Sequence, residues 1–325
     1  MTGTVRAICV SEEKGIAKTQ LPSSKLLPDH GLTGDAHAGE GHRQVSLLDA
    51  RDFEQMRASL PDLHYGAFGE NLVVEGIDLS RIGLGSVIRL GETARIRLSQ
   101  IGKVCHTPCA IYHTTGDCIM PRAGLFARVL EGGTLAVGDP VELLELIDRD
   151  RFQAVVLTIS DSRSRGEAED TAGPAVGQLL ERQLGAHVYR MEVIPDDTEA
   201  IAGRLRHYSG GHSIDLVVTA GGTGFAPRDV TPDATRPLIE RLTPGLDEAM
   251  RAASMASVPA AMLSRGVSGI RGQTLIVNLP GSQRAATENL SVILPALDHG
   301  LRKLRGDPAE CAPPTRPSPH EATPS

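Results

Sequence analysis

The hydrophobic period of this chain changes near residue 150, and that change fixes two folding units rather than one. Before it, apolar residues alternate with polar ones in short runs broken by glycine, as in GSVIRLGETARIRLSQIG (85–102) and GGTLAVGDPVELLEL (132–146). A period of two with tight turns predicts β-strands, so residues 1–146 are expected to form a mostly β barrel or sandwich. IDRDRFQ (147–153) reads as a charged linker. From residue 154 strand and helix patterns alternate. AVVLTIS, HVYRMEVI, DLVVTA and QTLIVNL predict strands, separated by helices at GPAVGQLLERQL, TEAIAGRLRHY and about 232–242. A last helix, AATENLSVILPALDHGLRKL, is expected to bend at Pro295. Such alternation predicts a three-layer α/β domain over 154–306 with a mainly parallel sheet. The Pro-, Ser- and Thr-rich segment 307–325 is expected to be a disordered tail.

A length of 325 residues suits two domains that each bury a core. The net charge of −7, with 3% aromatic residues and no tryptophan, excludes a general nucleic-acid or anionic-membrane binder. An anionic substrate must then be held by local arginines and helix N-termini. No segment is long and apolar enough to span a membrane, and MTGTVRAICVSEEKG does not read as a signal peptide. Five cysteines (Cys9, Cys105, Cys109, Cys118 and Cys311) form an odd set, from which a reducing cytoplasm and free thiols are expected.

In a parallel sheet ligands bind beyond the carboxyl ends of the strands. Asp161, Asp196 with Asp197, and Asp229 fall at three predicted strand ends, and Pro280, Gly281 and Ser282 at the fourth. Gly221, Gly222, Thr223 and Gly224 form a permissive loop whose N–H groups can approach a phosphate. It is neither a P-loop nor a dinucleotide fingerprint. Thr231 suits a helix N-cap, Pro232 the first helical position, and Asp233 a charge on the helix dipole. Asp196 and Asp229 could jointly hold Mg²⁺ or simply form Asx-turns. Arg163, Arg165, Arg228, Arg265 and Arg271 are read as cations in the rim loops, suited to a polyanion. Gly281–Ser282 opens a helix and offers a second anion site.

In the first half, Cys105, Cys109, His113 and Cys118 can be drawn as a zinc set, but the C-x₃-C spacing is interrupted by Pro108 and lacks a second knuckle. Buried inert thiols suit Cys109 and Cys118 better. Cys105 lies between Lys103 and His106, two groups able to lower a thiol pKa, so a thiolate there could carry sulfur or bind a soft metal centre.

The segments TISDSRSRG, IPDD, TAGGTGFAPRDVTPDAT and MRAASMASVPAAMLSRGVSGIRGQTLIVNLPGS resemble the molybdopterin-binding MoaB/Mog family over nearly all of 153–305. The resemblance implies a nucleotidyltransferase of molybdenum cofactor biosynthesis that makes adenylyl-molybdopterin and pyrophosphate from MgATP and molybdopterin. It places the essential carboxylates on Asp196 and Asp229, where they would anchor the metal or orient it through water, and molybdopterin contacts on Ser282 and the LSR segment around Ser264. The strand-end reading adds Asp161, Gly221, Gly222, Thr223, Gly224, Arg228, Pro280 and Gly281 as binding residues. The resemblance also implies a homo-trimer or hexamer built through this domain, and a molybdate-inserting enzyme as partner. GLTGDAHAGEGHRQVSLLD, GAFGENLVVEGIDL and the Cys105 stretch resemble a MOSC domain over about residues 4–146. That resemblance puts the family cysteine on Cys105 and motif positions on His37, Arg43, Glu70 and Asn71. It implies sulfur carriage or molybdenum-cofactor binding, with sulfur supplied by another protein because no pyridoxal-phosphate domain is present. His37 closing a turn and Asn71 capping a strand end stay open beside it. Three readings follow: an adenylyltransferase fused to a cofactor-handling module, a non-catalytic cofactor carrier, and a Cys105-centred sulfur-transfer protein.

Overall fold

The computed structural model describes residues 1–102, 112, 116, 118–211 and 213–308. The first half carries β1 (Thr2–Val10), β2 (Thr19–Leu21), β3 (Ser23–Leu27), β4 (Gly31–Leu32), β5 (Val45–Asp49), α1 (Ala50–Ser59), β6 (Leu72–Glu75), β7 (Val87–Leu90), β8 (Ala94–Ile101), α2 (Met120–Ala123), β9 (Leu125–Glu131), β10 (Gly133–Ala136) and β11 (Pro140–Glu145). Seven strands close on themselves in the order β11-β7-β8-β9-β5-β6-β1, with β1 returning to β11. Every neighbouring pair is antiparallel except β5–β6, which is parallel. The period of two decides which side chains fill the interior: along β8, Ala94, Ile96 and Leu98 are fully buried while Arg95 and Arg97 face out. Val5, Leu47, Leu72, Ile88, Val129 and Val141 meet them inside. A second apolar cluster forms where α1 lays Phe53 against Leu48, Phe68, Met120 and Phe126.

The second half begins at β12 (Gln153–Ile159) and continues through α3 (Asp161–Ser164), α4 (Ala172–Leu179), β13 (His187–Ile194), α5 (Thr198–Ser209), β14 (Leu216–Ala220), α6 (Thr231–Thr235), β15 (Arg241–Leu242), α7 (Pro244–Met255), β16 (Ser268–Arg271), β17 (Thr274–Leu279) and α8 (Gln283–Leu304). The sheet order is β13-β12-β14-β17-β16-β15. The first four strands run parallel, and β16 and β15 are antiparallel additions. Strands β12, β14 and β17 are buried along their whole length, as a sheet covered on both faces requires. Alternate residues serve the two faces. Ala154, Val156, Leu216 and Val218 pack under α4, α7 and α8, whereas Val155, Leu157 and Val217 pack under α5 and α6.

Three local expectations change. The helix anticipated over 232–242 stops at Thr235, passes through one 3₁₀ turn (Arg236–Leu238), and gives way to β15. Pro237 explains the break, because its ring lacks the N–H and clashes with the preceding turn. Thr231 is the first residue of α6 rather than its cap, and its hydroxyl donates to the Gly221 carbonyl at 2.9 Å. Arg271 sits at the β16–β17 hairpin, opposite Thr274 at the amino end of β17, and donates to Arg206 O and Ser209 Oγ. It therefore belongs to the other end of the sheet from the candidate site.

Candidate active site at the carboxyl edge of the sheet

The register aligns the four parallel strands so that Ile159 lies beside Ile194, Thr158 beside Ala220, and Ala220 beside Leu279. Their last residues therefore deliver the next segments to one edge. Ser160 caps α3 through its side chain, leaving Asp161 as the first helical residue. The Asp161 N–H donates to Asp196 Oδ2 at 2.8 Å, and the Asp196 N–H donates to Asp161 Oδ1 at 3.1 Å. Each carboxylate is thus oriented by the other's backbone. Burial raises the Asp196 pKa, the charges of Asp161 and Asp229 add to the rise, and the Asp161 N–H and Arg228 oppose it. Half-burial among like charges makes Asp196 a candidate functional carboxylate.

The loop after β14 approaches these carboxylates closely. Gly221 and Gly222 have φ of +125° and +63°, and a Cβ on Gly221 would press into the Ile159 carbonyl. A Cβ on Gly222 would collide with Thr231 Oγ1 and lie 3.2 Å from Asp196 Oδ1. On Gly224 it would lie 2.7 Å from Asp229 Oδ2, and on Gly281 3.1 Å from Gly221 Cα. Gly222 and Gly224 thus leave room beside Asp196 and Asp229, while Gly221 packs closely on Ile159 and Gly281 on Gly221. Asp229 Oδ2 accepts the Ala226 N–H at 2.9 Å. One oxygen each of Asp196 and Asp229 lies outside these backbone bonds, an arrangement that fits an oxygen-seeking Mg²⁺ completed by substrate phosphates. Among the described residues no three His, Cys, Asp or Glu side chains converge as for a resident metal.

A buried polar network underlies the loop. Asn278 Nδ2 donates to Thr219 Oγ1 (3.0 Å) and Thr235 Oγ1 (3.2 Å), Thr235 Oγ1 donates to Thr231 O, and Thr231 Oγ1 to Gly221 O. All four side chains are essentially inaccessible, so the network fixes the loop from below. Sequence reasoning missed it, although a polar residue inside each apolar run (LVVTA, LIVNL) was its signal. The remaining site residues lie on the same edge or beside it. Thr223 is buried, Arg228 is exposed, Pro280 and Gly281 are half-buried, and Ser282 caps α8 by accepting the Ala285 N–H. Ser264 ends a 3₁₀ turn and precedes Arg265, whose N–H donates to Thr223 O at 2.9 Å. Arg163 donates to Gly281 O, and Arg165 pairs with Glu167 in solvent. A cleft of about 440 Å³ flanks the edge, lined in part by Asp233, Arg236, Asp247, Arg251 and Arg265.

Cys105, with Lys103, His106, Cys109 and His113, lies outside the described residues. Cys118 is half-buried, and Cys9 is fully buried with its thiol pushed up to about 12 by burial and by Glu70. Asp35 bonds Lys18 Nζ at 2.6 Å with both side chains buried, and also accepts the Ser11 and His37 N–H groups. Burial pushes the Asp35 carboxyl up, but His37 and Lys18 outweigh it and hold it well below the usual range. His37 stays partly exposed beside that pair. Arg43 donates to Gln100 Oε1 at 2.7 Å and lies over the Phe126 ring. Asn71 bonds Ser46 and Cys9 O, stitching β5 and β1 to the start of β6.

The architecture is that of a closed barrel followed by an open α/β sheet with its candidate site at the strand ends. Residues 34–142 match the MOSC domain family, and residues 155–299 match the family described as "Probable molybdopterin binding domain". The chain is 39% identical over 153 residues to the molybdopterin adenylyltransferase of Helicobacter pylori strain J99, covering 47% of this chain and 87% of that one. It is 42% identical over 170 residues to gephyrin of Dictyostelium discoideum, covering 49% of this chain but 23% of gephyrin. The structure of the MoaB enzyme from Thermus thermophilus is 45% identical and covers 48% of this chain and 98% of its own, with a TM-score of 0.46. Through its second half the chain belongs to the molybdopterin-binding MoaB/Mog family, and its first half is a MOSC domain.

Proposed function

We propose that the second half adenylylates molybdopterin with MgATP, releasing pyrophosphate in molybdenum cofactor biosynthesis. The observation that carries this reading is the pair Asp196 and Asp229, brought beside glycines that leave space for phosphates. It is supported by the relatives named molybdopterin adenylyltransferase. The terminal phosphate of molybdopterin attacks the α-phosphorus of ATP, and pyrophosphate leaves. Both reactants are polyanions, so catalysis is positioning and charge neutralisation. Asp196 and Asp229 would hold Mg²⁺, which would supply part of that neutralisation. The backbone N–H groups of Gly222, Thr223 and Gly224 cradle phosphate oxygens, while the Gly221 N–H is taken by the Leu279 carbonyl at 3.0 Å and only shapes the loop. Arg228 faces the same site, and the α8 N-terminus at Ser282 offers a second cradle. No strong base is needed, because the attacking phosphate is already ionised.

The barrel is proposed to bind the cofactor or to carry sulfur on Cys105, with sulfur coming from a separate donor and the product passing to a molybdate-inserting enzyme. The domains are proposed as 1–146 and 154–306 around linker 147–153, with 307–325 a tail. A trimer or hexamer through the second half, in the cytoplasm, completes the reading. The test is transfer of label to molybdopterin from ATP radiolabelled at the α-phosphate. Transfer that requires both substrates supports the enzyme, whereas tight molybdopterin binding without transfer supports a carrier.

A further inference from the structure

Arg265 has the place of a cation waiting for a polyanion, yet its donors are already committed. Its Nε donates to Gly224 O at 3.0 Å, and its Nη1 to Asp233 Oδ1 at 3.1 Å. Its Nη2 donates to Asp233 Oδ2 at 2.8 Å and to Asp229 O. Four of the five guanidinium hydrogens are used in this way, and the residue's own N–H adds the bond to Thr223 O. The planar fork therefore grips both ends of the turn from Gly224 to Asp229, with Asp233 of α6 as its anchor. That turn sets the Asp229 carboxylate, whose Oδ2 closes it on the Ala226 N–H.

The ion pair is 37% and 55% exposed at its two side chains, so it contributes little to global stability. Its effect is geometric. We propose that Arg265, anchored by Asp233, is a positioning residue that holds the 224–229 turn and so fixes Asp229 relative to Asp196. This deepens the adenylyltransferase reading at the same site, but its first test is independent of that reading.

Hydrogen exchange of the amides from Gly224 to Val230 is compared in the wild type, Arg265→Ala, Arg265→Lys and Asp233→Asn, with thermal midpoints to exclude unfolding. Exchange in this turn is expected to quicken by about tenfold or more in Arg265→Ala and Arg265→Lys and by a smaller factor in Asp233→Asn. Lysine fails to rescue because a single ammonium cannot span two carbonyls and a carboxylate. Unchanged exchange in Arg265→Ala overturns the proposal. The second measurement is Mn²⁺ affinity in the presence of ATP, read by electron paramagnetic resonance alongside turnover. The proposal expects weaker Mn²⁺ binding and a kcat reduced by about tenfold to a hundredfold in Arg265→Ala, with KM for molybdopterin nearly unchanged. A substrate-binding arginine gives the opposite pattern: raised KM, rescue by lysine, and improved binding when Asp233→Asn frees the guanidinium. That pattern also overturns the proposal. If wild-type protein fails to bind Mn²⁺ with ATP while the turn loosens as expected, the adenylyltransferase reading fails and the positioning role stands.

Discussion

At the scale of single residues, the clearest sign of function is a carboxylate placed where it costs stability. Burial and the neighbouring charges of Asp161 and Asp229 raise the Asp196 pKa, so its charged form is disfavoured in the folded state. Asp196→Asn is accordingly expected to melt at or above the wild-type midpoint at neutral pH while losing adenylyl transfer. A lower midpoint would mean that Asp196 serves structure. Glu70 is a second such residue, in the barrel. Its side chain is fully buried and its pKa is pushed up to about 7 by burial, against the N–H bonds from Gly66 and Phe68. Below pH 4.5 both folded and unfolded states hold the proton, and the group's contribution is complete. As pH rises toward about 7 the unfolded chain ionises first and stability falls by about 3 kcal/mol, then levels off. Glu70→Gln should remove that slope from denaturant-unfolding measurements across the window. An unaltered slope would refute the assignment.

At the scale of elements, conformational demand concentrates in the turn after β14. Gly222→Ala must hold an L-residue at φ +63° and displace Thr231 Oγ1, the hydroxyl that fixes Gly221. A loss of about 1–3 kcal/mol is expected, together with a loss of transfer larger than the stability change explains. Equal stability and activity would show that the loop is looser than described. The elements also show what is legible in the sequence. The period of two in β8 and the buried runs of β12, β14 and β17 are plain, because burial on one face or two leaves a direct imprint on the sequence. Asp161, Asp196, the glycines and Ser282 fall at strand ends by the same logic. Illegible is β15, only two residues long; α7 goes unread, although Thr243 at its cap position, Pro244 at its first position and Asp247 in its first turn are a start signal. The reciprocal Asp161–Asp196 bonds and the Arg265–Asp233 anchor also escape, since partners distant in sequence leave no periodic trace. Arg265 and Arg271 show the limit well: position before the last parallel strand puts both in the rim loops, and only the chain path separates a residue bonded to the 224–229 turn from one at the far end of the sheet.

At the scale of the whole molecule, the two halves share contacts. Leu84 from the barrel is fully buried in the cluster formed by Val155, Leu157 and Tyr208. Ser213 Oγ donates to Ile101 O at 2.9 Å, and the His42 and His207 rings meet edge to face at 6.0 Å. Arg305 ties the end of α8 to Asp215 and to the carbonyls of Asp150 and Arg151 in the connector. Leu84→Ala should cost about 2–5 kcal/mol and separate thermal unfolding into two transitions. A single unshifted transition would show that the seam couples nothing. No helix among the described residues is long and apolar enough to cross a membrane.

The central claim is that Asp196 and Asp229 form the working pair of an adenylyltransferase. The most direct measurement is pyrophosphate release from MgATP, with and without molybdopterin, by the wild type and by Asp229→Asn. The account predicts release that depends on molybdopterin and is abolished by the substitution while molybdopterin still binds. Tight molybdopterin binding with no release from either protein would contradict it and make this chain a carrier of the cofactor.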